Sequence, residues 1–187
     1  MKQQYTRNLI VGTFRRLLEK KSFERITVKE IVEECGLTRN TFYYYYDDIY
    51  DIVDEILCAE AETLTVAIDG NTSLSEAMTK AVALAANEPN LVRAVFQSQK
   101  SEELRVYFSR AIDSVIAGVF DARTEGKVID KNDRRMIIDS FRFAFEGALE
   151  KWVAGGMKTP ITQDIGRMCV LFEESFGNAI EKSMREQ

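Results

Sequence analysis

Apolar residues recur at helical spacing along most of the chain. Ile10, Phe14, Leu17 and Leu18 make the first stripe, with Arg15, Arg16, Glu19 and Lys20 on the other faces, which predicts a helix over 4–20. After a short link, Lys21 to Arg25, Thr27 stands at an N-cap position with Glu30 three residues on. That spacing is the capping box, flanked by a staple pair, Ile26 and Ile31. The second helix ends near Glu34. Gly36 suits the left-handed conformation that ends a helix and turns the chain. Thr38 is the next N-cap, with Leu37 and Phe42 as its staple, and opens a third helix over Arg39 to Tyr46. Two short helices joined by a tight glycine turn are the helix-turn-helix signature. With Phe42 and Tyr46 inward, Asn40 and Tyr44 point almost opposite, flanked by Thr41 and Tyr43.

Asp48 caps a fourth helix, with Asp51 in the reciprocal position. Ile49, Ile52, Val53, Ile56 and Leu57 give its buried face, and the pattern can run to Ile68. Asp69-Gly70-Asn71-Thr72 is the clearest boundary by turn chemistry. Further helical patterns follow over 73–87, 91–97, 101–122, 132–154 and 163–184. In the third of these, Leu104, Tyr107, Phe108, Ile112, Val115, Ile116 and Val119 face inward. In the fourth, Ile137, Phe141, Phe145, Ala148 and Trp152 form one stripe, while Phe143 and Gly147 lie off it. In the last, Ile165, Cys169, Phe172, Phe176 and Ile180 form the stripe. The fold class is therefore all-α, a helix-turn-helix head followed by a helical body.

Charge separates the same two parts. Residues 1–46 hold nine Lys or Arg against five Glu, a net +4, whereas residues 47–187 hold sixteen against twenty-five, a net -9. A basic head that meets phosphate and an acidic body is one reading; chance segregation of solvated charge is the other. The chain has no histidine. That removes the commonest general base and transition-metal ligand, and with them any His-dependent catalytic dyad or triad. Cys35, Cys58 and Cys169 are too scattered for a thiolate metal site or a disulfide framework. No catalytic residue, metal or cofactor is expected. The start of the chain has no signal-peptide pattern and no apolar run is long enough for a membrane span, so the expected location is the cytoplasm.

The first 57 residues, through the segment from Phe23 to Ile31, Cys35-Gly36-Leu37-Thr38-Arg39-Asn40-Thr41-Phe42 and the four tyrosines Tyr43 to Tyr46, resemble the DNA-binding head of the TetR/AcrR regulators, which implies a DNA-binding domain over 1–57 and a ligand-binding and dimerisation body over 58–187. The run Thr41 to Asp51 and the stretch from Trp152 to Met157 are also similar to a subgroup that includes regulators and coactivators of dihydroxyacetone kinase operons. The resemblance implies a third helix in the major groove of a double-stranded DNA operator, with Thr38, Arg39, Asn40, Thr41, Tyr43, Tyr44 and Tyr45 as contacts. It also implies that Thr27 and Lys29 anchor the backbone, because helix N-termini favour anions. One departure is Ile49, which stands where family members usually carry a phosphate-contacting Lys.

Tyr45 is open to two readings, core or contact. Tyr46 reads as core. By the same resemblance the last two long helices are the homodimer surface. The body holds a pocket for a small-molecule effector, since apolar cavities between helices are common ligand sites. Phe96, Tyr107, Phe108, Phe141, Phe145 and Trp152 are its candidate lining. The expected function is a ligand-responsive regulator, with repression the family's common mode. The alternative is a coactivator-like interaction protein of the same fold that binds a partner protein.

Overall fold

The computed structural model describes residues 2–97 and 101–184. Among them are nine α-helices and no strand: α1 (Lys2–Lys20), α2 (Val28–Cys35), α3 (Arg39–Tyr43), α4 (Ile49–Thr65), α5 (Leu74–Asn87), α6 (Pro89–Gln97), α7 (Ser101–Arg123), α8 (Lys131–Ala154) and α9 (Ile161–Ser183). A 3-10 turn, Phe23–Arg25, lies in the first link. The chain forms two compact units. One is Met1–Cys58 with Pro89–Phe108; the other is Ala59–Glu88 with Ser109–Gln187. Residues 89–108, which the sequence pattern assigns to the body, thus share a unit with the head, and α6 packs on α1.

The first unit is built on the predicted stripe. Ile10, Phe14, Leu17 and Leu18 are buried, as are Ile31, Phe42, Ile52, Val53, Ile56 and Leu57. Phe14, Phe23 and Tyr50 meet edge to face, at 6.2 and 5.3 Å between successive ring centroids. Between α2 and α3 the turn rests on Gly36, at φ 65°, whose amide closes onto Glu33 and Val32. A Cβ there would meet no atom within 4 Å, so the position demands glycine for its backbone angle alone. Gly36→Ala is expected to cost about 1–2 kcal/mol, the penalty of a left-handed L-residue. Chemical denaturation measures it, and a midpoint equal to that of the parent would contradict the assignment.

In the second unit α5 and α8 pack on α9. The α9 stripe of Ile165, Cys169, Phe176 and Ile180 is buried as predicted, but Phe172 is 44% exposed, a correction. It sits on the flank of the stripe, where its ring meets Phe141 edge to face at 6.5 Å. On α8 the buried positions are Ile138, Phe145, Leu149 and Val153 rather than the predicted series through Ile137, Ala148 and Trp152. The inward face is turned by about one residue, some 100° on an α-helix. The displaced position is taken by Arg142, mostly buried, which pairs with Asp113 (2.9 Å), Asp139 (3.0 Å) and Glu146 (3.4 Å). Burial holds the Asp113 carboxyl above its ordinary range, with Arg142 acting in the opposite direction. Arg123 performs a similar task, pairing with Glu173 and donating to the Thr72 carbonyl at 3.1 Å, while Glu173 accepts from the Ser75 amide at 3.2 Å.

Among the described residues no helix is long and apolar enough to cross a membrane. Among the same residues no group of three or more His, Cys, Asp or Glu could hold a metal ion. The three cysteines are free thiols. Burial, chiefly, pushes the Cys169 thiol up to about 12.

Candidate nucleic-acid interface

Two caps fix the surface that the sequence singles out. The Thr27 hydroxyl accepts from the Glu30 amide at 3.3 Å. The reciprocal half of the box is not made, because the Glu30 carboxylate turns to Lys21. Thr38 Oγ1 accepts from the Thr41 amide at 3.1 Å and lies 2.9 Å from the Thr41 hydroxyl. Each cap satisfies one of the amides that a helix start leaves unpaired.

Helix α3 is shorter than the pattern predicts, ending at Tyr43 rather than Tyr46. The chain is captured by the next helix. Asp48 Oδ1 accepts from the amides of Tyr50 (2.7 Å) and Asp51 (3.3 Å), and the Asp51 carboxylate accepts from the Asp47 amide at 2.7 Å. Those bonds fix 47–51 in a capping geometry that cannot also continue α3.

What remains outside is polar. Arg39, Asn40, Tyr43 and Tyr44 are exposed, as are Thr27, Lys29 and Thr38, while Thr41 and Tyr45 are half-buried. The Arg39 guanidinium and the Asn40 amide have no intramolecular partner among the described residues. Lys29 has only a 3.8 Å pairing with Glu33 between two exposed side chains, which costs little to exchange for a phosphate. Tyr43 stands edge-on to Phe42 at 5.6 Å, so its ring is steadied from below while its hydroxyl reaches solvent. The nine residues proposed for DNA contact therefore fall at the cap and first turn of α2, at the cap and along α3, and in the turn after it, seven of them exposed and two half-buried.

Tyr46 is core, 3% exposed, and its hydroxyl donates to Glu55 at 2.9 Å. Burial, then the Glu55 carboxylate, raise its pKa far above the ordinary phenol range. Ile49 is half-exposed at the start of α4 and offers no charge to a phosphate. Sequence reasoning missed Gln3, Arg7 and Glu55. Gln3 donates to the Tyr44 hydroxyl at 3.3 Å, and Arg7 pairs with Glu55 at 2.7 Å beneath the tyrosines. Their separation in sequence gave no local signal.

The six aromatics proposed for an effector pocket divide between the units. Phe96 and Phe108 stack edge to face at 5.3 Å in the first, with Tyr107 half-buried near them in sequence. In the second, Phe145 is buried, Phe141 meets Phe176 at 4.8 Å, and Trp152 Nε1 donates to the Thr159 carbonyl at 2.7 Å.

A capped helix-turn-helix head on an all-helical chain defines a DNA-binding regulator, and the comparisons agree. Residues 10–56 match the sequence profile of the bacterial regulatory proteins of the tetR family, and residues 72–174 match a profile described as a transcriptional regulator C-terminal region. The chain belongs to the tetR family of transcription regulators. No curated protein matches the sequence significantly. Among solved structures it is similar to the dihydroxyacetone kinase operon activator DhaS, with TM-score 0.64, 12% identity, and 96% of this chain and 98% of that one covered. The repressor AlkX from Dietzia matches with TM-score 0.57, 15% identity, and 95% and 98% covered. The regulator FadR from Bacillus subtilis, in complex with stearoyl-CoA, matches with TM-score 0.61, 14% identity, and 88% and 96% covered. Identities this low speak for a shared fold.

Proposed function

We propose that the protein is a ligand-responsive transcription repressor that binds a palindromic operator as a homodimer. The observation that carries the DNA reading is the exposed face of α3. Arg39 and Asn40 there present unpaired donors on a helix that a threonine cap holds in place. The major groove displays a distinct donor and acceptor pattern for each base pair. Arg39 suits guanine or a phosphate, Asn40 suits adenine, and the tyrosine hydroxyls suit phosphates. Thr27 and Lys29 would anchor the backbone at the start of α2.

One head makes a small interface, so two are needed, spaced by about a helical turn of DNA, roughly 34 Å. The outward apolar side chains of α8 and α9 supply the pairing surface. An effector held among the body aromatics would shift the dimer between head separations, only one of which fits the operator. The fold of FadR, solved with an acyl-CoA, supports an effector site in such a body. Among the structural neighbours both an activator and a repressor occur. Repression is favoured by the family's common mode.

The test is an anisotropy titration against the DNA upstream of the protein's own gene, over a salt series. Saturable binding by a dimer that weakens steeply with salt is expected. Arg39→Ala and Tyr43→Ala should each weaken it by roughly tenfold to a hundredfold, the usual value of one good base or phosphate contact. Binding no tighter than that to random DNA would remove the operator reading. It would favour the coactivator-like alternative, to which the uncharged Ile49 already lends some weight.

A further inference from the structure

We propose that Glu55 is a positioning residue of the DNA-binding face, acting through Arg7 and Tyr46 to hold the turn that carries Tyr44 and Tyr45. The inference rests on the DNA reading above for its functional meaning, and on geometry for its content. One oxygen, Glu55 Oε2, accepts from both Arg7 (2.7 Å) and the Tyr46 hydroxyl (2.9 Å). It thereby ties α1, the turn after α3, and α4, across 48 and 9 residues of sequence. The Arg7 guanidinium in turn lies 5.8 Å from the ring centroids of both Tyr45 and Tyr46. Tyr45 stands edge-on to Tyr44 at 4.9 Å, and the Tyr44 hydroxyl accepts from Gln3. A continuous chain of contacts thus leads from a carboxylate behind the site to two tyrosines on its surface.

The short helix needs such support. With five residues, α3 has too few turns to be stable by its own backbone bonds. Past Tyr43, among the described residues, the backbone up to Tyr46 is held by its bonds to Asn40 and Phe42 and by these side chains. Arg7 and Glu55 are each partly exposed, at 42% and 26%, so their pairing contributes little to global stability. Its value lies in fixing orientation.

Charge gives the proposal a distinctive sign. Removing a carboxylate next to a surface that meets phosphate should, by electrostatics alone, tighten DNA binding. Positioning requires the opposite. Glu55→Gln and the charge-neutral Tyr46→Phe are therefore compared with the parent protein in the same operator titration, alongside thermal melts. Each variant is expected to weaken operator binding by about tenfold, the entropic cost of re-ordering about one residue of a loosened turn on binding, with its melting temperature lowered by a few degrees at most. Operator binding by Glu55→Gln that is equal to or tighter than the parent's overturns the proposal.

Amide hydrogen exchange of the full-length protein separates this from failure of the DNA reading. The amides of Tyr44, Tyr45 and Tyr46 should exchange about tenfold faster in Glu55→Gln, while those of α1 keep their parent rates. If the parent binds no DNA specifically yet those amides are loosened, the network stands and the operator reading falls. Unchanged exchange overturns the network whatever the DNA result.

Discussion

Phe42→Ala is expected to destabilise the head strongly and to remove operator binding. Phe42 has no solvent exposure, and its ring packs against Tyr43 and Tyr46, each at 5.6 Å between centroids. Truncating a buried phenylalanine costs about 3–5 kcal/mol, from lost transfer energy and the cavity left behind. A whole domain is stable by only about 5–15 kcal/mol. The five-residue α3 has no other buried side chain, so its attachment to α2 and to Tyr46 in the following turn depends on this ring. Far-UV dichroism should show partial loss of helix and an earlier melting phase, with the second unit persisting to higher temperature. A variant that melts with the parent and binds the operator normally would show that Phe42 is not the anchor of the recognition helix.

The second large effect concerns association. Phe143→Glu and Leu171→Glu are expected to convert a dimer to a monomer and to lower operator affinity by two orders of magnitude or more, since linked binding modules gain about 10²–10⁴ over single ones. Met136 and Phe143 on α8, with Val170, Leu171 and Phe172 on α9, are all exposed large apolar side chains. Exposed apolar groups of this size on two helices that pack together mark surface for a second subunit to cover. The Arg142 guanidinium, itself fixed by three carboxylates, lies 4.3 Å from the Phe143 ring centroid.

Because these side chains are exposed within one chain, the substitutions should leave the subunit's own melting temperature almost unchanged. Sedimentation velocity reads the oligomeric state directly. A Leu171→Glu protein that stays dimeric places the interface elsewhere. A parent protein that is monomeric at micromolar concentration removes the homodimer from the proposed function altogether.

Half-site DNA separates the two kinds of loss. Phe42→Ala acts through the fold of one head and should fail on a half-site as well as on the full operator. The α8 and α9 substitutions should spare whatever weak affinity a single head has for a half-site. Measured on both DNAs, the two classes of variant should therefore give different ratios of loss.

Much of the head was legible in the sequence because its determinants are local. Thr27, Thr38 and Asp48 cap helices through amides two or three residues away. Gly36 turns the chain through its own φ angle. The stripe Ile10, Phe14, Leu17 and Leu18 follows from helical periodicity alone. The outward polar face of α3 followed once Phe42 was set inward.

Tertiary structure decided the rest. Helix α3 stops at Tyr43 because the α4 cap claims Asp47 and Asp48, a competition that propensity does not rank. The inward side of α8 could not be read from its own pattern, since that helix is apolar on more than one face. Arg142 finds Asp113 only when α7 lies alongside, and that contact accompanies the turned register. Glu55 belongs to the candidate site only because folding brings residues 7, 46 and 55 to one oxygen. Local hydrogen bonds and backbone angles are written in neighbouring residues; which face is buried, and which distant charges meet, depends on what packs against them.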